Sequence, residues 1–117
     1  MSGTDVSGPA YTAKLYYSNK KNKRLTVLIR DNYTGKHVTV DFGSKKGKTF
    51  LDHNDVKKKE NYLKRHGAVN NKALLSNSED WTDPFTAGFW SRWLLWSEPT
   101  FKEALQLIAN KFDVAFV

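Results

Sequence analysis

At 117 residues the chain has room for one domain with a core of its own, and not for two. It contains no cysteine, which excludes a disulfide framework and thiolate chemistry and fits a reducing site of folding. Nineteen Lys and Arg against twelve Asp and Glu give a net charge of +7, and no run approaches the ~18 apolar residues of a membrane span.

The charge is unevenly placed. Residues 14–72 carry sixteen Lys and Arg against five acids, whereas residues 73–117 carry three against six. A basic half joined to a mildly acidic, aromatic half points to two surfaces with different partners.

Residues 1–12 (MSGTDVSGPAYT) have neither the basic start nor the apolar centre of a signal peptide, and their Gly, Ser, Thr and Pro predict a flexible arm. That leaves 13–117 as a single domain. Residues 13–17 (AKLYY) read as a strand and 18–22 as a turn. In 24–30 (RLTVLIR), Leu25, Val27 and Ile29 alternate to one face. Residues 31–35 form a hairpin turn in which Asn32 and Gly35 can take positive φ. The next strand, 36–42, turns Val38, Val40 and Phe42 to one side.

Residues 43–48 (GSKKGK) offer free amides and lysines to an anion, yet lack the spacing of a P-loop. A solvated connecting loop is the plainer reading. Thr49, Phe50 and Leu51 read as a brief strand or a core anchor. A surface helix follows, with Asp52 as its N-cap, Asp55 near its positive end and a thin stripe of Val56, Tyr62 and Leu63. Gly67 would stop it, and 68–78 read as a loop or a short helical turn.

Residues 79–96 (EDWTDPFTAGFWSRWLLW) hold all the tryptophans. On a helix begun after Pro84, Phe85, Phe89, Trp93 and Trp96 share one face, with Trp90 beside it. A helix apolar nearly all round is normally buried. Pro99 ends it, and Thr100 with Glu103 opens a last helix over 100–112 through a capping box, with Phe101, Ala104, Leu105, Ile108 and Phe112 on one stripe. Residues 113–117 (DVAFV) read as a short strand or an apolar tail. The expected architecture is α+β: a small antiparallel sheet of two to four strands, then about three helices, with the aromatic-rich buried helix as core.

Nothing here has the pattern of an enzyme. His37, His53 and His66 lack metal-ligand spacing, helix capping accounts for Asp52 and Asp55 beside His53, and Ser91 has no G-x-S-x-G elbow. No catalytic residue, cofactor or metal is therefore expected. Two binding surfaces are. Trp81, Trp90, Arg92, Trp93 and Trp96 have the residue types of an interface hot spot. Lys45, Lys46, Lys48, Lys57, Lys58, Lys59, Lys64 and Arg65, with Lys20, Lys21, Lys23 and Arg24 nearby, form a candidate polyanion-binding surface. Tyr16, Tyr17, Tyr33 and Tyr62, interleaved with these cations, are candidates for stacking on a single strand.

Phe42-Gly43 with the basic loop after it, Asp52-His53-Asn54-Asp55, the run YLKRH (62–66), Glu79-Asp80-Trp81 and the run TAGFWSRWLLW (86–96) occur in this order. Over about residues 42–108 this resembles a family of short basic proteins of nucleocytoplasmic large DNA viruses, the giant viruses of algae and protists. The resemblance carries no catalytic motif, and it leaves the arm and first strands outside. It implies a viral context, in which weak catalytic signals, a flexible arm, strand edges and an apolar C-terminus suit a non-enzymatic structural protein, a minor capsid or cement component that contacts other capsid or virion proteins. Such a protein would reside in the virion and be assembled in the host cell cytoplasm. The alternative is a basic nucleic-acid-binding protein associated with the viral genome. A regulator that binds a host protein in the infected cell is a third reading.

Overall fold

The computed structural model describes residues 8–66 and 81–117. Its first three strands follow the period-two apolar pattern. They are β1 (Tyr11–Tyr17), β2 (Lys23–Asp31) and β3 (His37–Ser44). Both neighbouring pairs are antiparallel, and the register sets Leu25 opposite Phe42, Val27 opposite Leu15 and Val40, and Ile29 opposite Ala13 and Val38. All these residues belong to one core, so one face of the sheet is apolar. At the β2–β3 turn, Gly35 has φ +81° and the Asp31 carboxylate accepts the amides of Tyr33 and Thr34. Asn32 does not take positive φ. It donates instead to Pro9 O and Thr12 Oγ1 across the sheet.

The sheet is mixed rather than wholly antiparallel. A fourth strand, β4 (Val114–Phe116), pairs parallel to β1 and gives the order β3-β2-β1-β4. β3 runs in the same sense as β1, so a helical crossover between β3 and β4 yields parallel pairing. Asp113, left-handed at φ 58°, ends the last helix, and its carboxylate and carbonyl take the amides of Ala10 and Tyr11. Tyr11 and Thr12 are thus part of the sheet, not of an arm, and residues 1–7 lie outside the described residues.

Residues 49–51 form no strand. Thr49 caps α1 (Phe50–His53), and Phe50 is buried beneath it. Asp52, read above as an N-cap, instead reaches back one turn to accept the Thr49 amide at 2.7 Å. The cap of α2 (Val56–Arg65) is Asp55, which accepts the amides of Lys57 and Lys58. Val56 is 60% exposed, so the stripe on α2 reduces to Tyr62 and part of Leu63. Gly67 and residues 68–78 lie outside the described residues.

Arg24 on β2 holds Asp52 through two bonds of 2.8 and 2.9 Å and ties α1 to the sheet. Those bonds keep the Asp52 carboxyl well below its usual range. A carboxylate with a depressed folded-state pKa stabilises above the unfolded value of ~4 and ceases to do so as the pH falls through the folded value. The pair is partly exposed, so Asp52→Asn should lower stability at neutral pH by about 1 kcal/mol. Denaturant melts should show that deficit shrinking below pH ~4. A deficit independent of pH would contradict the role given to the pair.

The aromatic segment departs from a regular helix. Its cap is Thr86, whose hydroxyl accepts the Phe89 amide. α3 spans only Ala87–Trp90 and passes into a π-helical turn at Ser91–Leu95. The wider winding advances the buried face, so Phe89, Trp90, Leu94 and Leu95 go inward while Phe85, Trp93 and Trp96 are half-buried. The face expected from a 3.6-residue period is therefore rotated. α4 (Phe101–Phe112) starts at Thr100, whose hydroxyl accepts the Glu103 amide and donates to the Glu103 carboxylate. Ala104 and Ile108 are buried, and Phe101 stays exposed at the first turn. The helices thus cover one face of an α+β fold and leave the other face of the sheet in solvent.

A candidate polyanion-binding cleft

α2 presents three successive lysines, and a helix turns them about 100° apart. Lys58, Asn61 and Arg65 follow one face. They border a depression of about 340 Å³ together with Lys48, His53 and Trp96. Lys48, Arg65 and Trp96 also line a larger cleft of about 520 Å³, with Lys23, Ser44, Tyr62 and His66. A third hollow, about 400 Å³, has Lys45, Lys46 and Lys48 on its wall next to Arg24 and Asp52. The shared rims join these hollows into one basic surface between the 43–49 loop, α2 and the aromatic segment. Ser44 keeps the loop in shape by accepting the amides of Lys46 and Gly47. Lys57 and Lys64 are exposed on the outer side of α2 and line none of the three.

Lys59 does not belong to this surface. It lies on the Tyr62 side of α2, and its Nζ donates to Ser97 O at 2.6 Å, 4.9 Å from the Phe50 ring centroid. Burial lowers its pKa. It is a brace between α2 and the end of the aromatic segment, closed to a polyanion. Arg24 is likewise occupied by Asp52.

The tryptophan set divides too. Trp90 is fully buried, and its Nε1 donates to Pro84 O at 2.7 Å, so it is core and offers no partner surface. The Arg92 guanidinium sits 4.3 Å from the Trp93 ring centroid and 5.2 Å from that of Trp81, and it donates to Trp96 O. Burial lowers its pKa as well, so Arg92 cements the segment rather than serving as an exposed anchor. Trp81, Trp93 and Trp96 are half-buried. Trp93 donates to Trp81 O, and Trp96 stacks on Tyr62 with centroids 4.4 Å apart and planes 4° apart. That stack gives the cleft an aromatic wall.

The acidic and histidine groups nearby are engaged in structure. His53 Nδ1 accepts the Asp55 amide, and Asp52 serves Thr49 and Arg24. Among the described residues no group of three His, Cys, Asp or Glu could hold a metal, and no helix is long and apolar enough to cross a membrane.

The spacing of Lys59 three residues before Tyr62 was the available signal that this lysine faces inward. Lys23, already counted among the nearby cations, is brought to the cleft by the sheet register, and His66 by the end of α2.

Residues 13–66, just under half of the chain, match the sequence model of a family of unknown function (DUF5754). The match covers β1–β3, α1 and α2, which carry the basic wall of the cleft, and stops before the tryptophan segment. No curated protein and no solved structure matches the chain.

Proposed function

We propose that this protein is a non-enzymatic nucleic-acid-binding module that holds phosphates along the basic cleft. The observation that carries this reading is the convergence of Lys45, Lys46, Lys48, Lys58 and Arg65 on joined hollows in which the nearby carboxylate, Asp52, is already neutralised by Arg24. Unpaired cations on such a surface release counterions when they meet a polyanion, and that release drives binding. The resemblance to giant-virus proteins supplies the setting: the nucleic acid is the viral genome and the protein travels in the virion. A minor capsid or cement role, through contacts with other virion proteins, is the second reading. It is favoured by the half-exposed rings of Trp81, Trp93 and Trp96.

Replacing Lys48, Lys58 and Arg65 together by glutamine tests the first reading, because all three are exposed and the fold should survive. The slope of log K against log salt for duplex DNA should become shallower by about 0.9 for each phosphate contact removed. An unchanged slope and affinity would remove the cleft from the binding surface.

A further inference from the structure

We propose that the uncovered face of the sheet is a second binding surface, which stacks unpaired bases of single-stranded nucleic acid on Tyr16 and Tyr17. This deepens the nucleic-acid reading above and rests on a face that meets the basic cleft at Tyr17. The register turns Tyr16, Thr26 and Asp41 to the same outer face, in one row across β1, β2 and β3. Tyr16 is 44% exposed on this face, and Tyr17, opposite Leu25 at the end of β1, projects 90% exposed at the corner of the sheet, between this face and the basic hollow of Lys45, Lys46 and Lys48. With Lys20 and Thr39 the two tyrosines surround a depression of about 550 Å³. Buried rings would explain themselves as core; these two add little to it, and an exposed ring on a sheet is a base-stacking platform.

The charges fit one kind of occupant. Lys14 follows Tyr16 along the face, its ammonium 5.7 Å from the ring centroid, and Arg30 stands one row further on. Lys20 lines the depression, and Lys14 and Arg30 continue the cations along the same face. The floor carries Asp41, whose carboxylate accepts the hydroxyls of Thr26 and Ser18. A negative floor repels phosphate and accepts base N–H donors, the thymine N3–H and the exocyclic amines alike, while the cations of this face attract phosphate. That arrangement suits a strand with its bases turned in and its backbone outward. An acidic peptide or an anionic membrane would set its charge against Asp41, and a duplex keeps its base faces covered.

The test uses the full chain with a labelled oligothymidylate as the single strand and heparin as a polyanion without bases. Tyr16→Ala with Tyr17→Ala should weaken oligothymidylate binding by about 10- to 100-fold and leave heparin binding unchanged. Tyr16→Phe with Tyr17→Phe, which keeps both rings, should retain oligothymidylate affinity. Full oligothymidylate affinity in the alanine variant would overturn the inference and leave the cleft reading standing, as would equal losses for both ligands. A native chain that binds heparin but not oligothymidylate would overturn it in the same way. A chain that binds neither would overturn both readings.

Discussion

Replacing Trp90 by alanine should lower the unfolding free energy by about 3–5 kcal/mol, the range for truncating a fully buried large aromatic. The indole lies 6.1 Å from the Phe42 ring, 5.2 Å from Phe89 and 6.1 Å from Phe116, so it joins β3, the aromatic segment and β4 in one contact. Truncation would leave a cavity among these rings and orphan the buried Pro84 carbonyl that Nε1 now satisfies. Trp93→Ala should have a smaller effect, because that ring is only half-buried and its surroundings can rehydrate. Denaturant titration of the two variants checks both the size and the order. Equal losses, or a larger loss at position 93, would contradict the phase assigned to the π-helical turn.

Gly43→Ala should destabilise by about 2–5 kcal/mol. Gly43 has φ +78°, where an alanine costs about 1–2 kcal/mol in backbone strain. The added Cβ would also lie 2.9 Å from Leu95 Cδ1 and 3.1 Å from Arg24 Cβ. Leu95 is packed in the core and Arg24 is held by Asp52, so neither gives way freely. Overpacking of this kind costs about 1–3 kcal/mol. Gly35→Ala separates the two causes: φ there is +81°, and the nearest atom to the added carbon is 4.0 Å away. It should lose only the backbone part. Equal losses at both positions, measured by thermal and denaturant melts, would show that the approach of β3 to Leu95 is not tight.

Much of the sheet was legible because its strands alternate strictly, and the register then follows from the need to bury one face. Leu25, Val27, Ile29 and Phe42 all stand where alternation puts them. The direction of β4 was not legible, since three residues at the end of a helix carry no sign of which neighbour they join. The aromatic segment misled in phase. A π-helical turn arises from packing and capping rather than from propensity, so a 3.6-residue wheel put Trp93 inward and Trp90 aside, the reverse of the burial observed. The same mechanism undid part of the interface set: Trp90 has the composition of a hot spot and the location of a core, and half-buried Arg92 is held against Trp81 and Trp93.

The cleft was half legible. Charge counting found Lys45, Lys46, Lys48, Lys58 and Arg65, and helical geometry separated them from Lys59, which the sequence had grouped with its neighbours. What it lacked was the third dimension. Arg24 ties α1 to the sheet and Lys59 ties α2 to the aromatic segment, and these long-range contacts help bring the walls of the joined hollows together.

A cleft that holds nucleic acid by its phosphates releases counterions on binding, so a salt titration of duplex DNA binding by the folded chain should show a steep dependence. With three to five contacts the slope of log K against log salt should be about −2.7 to −4.5. A slope near zero, or no binding at low salt by a chain that melts cooperatively, would contradict that mode of binding.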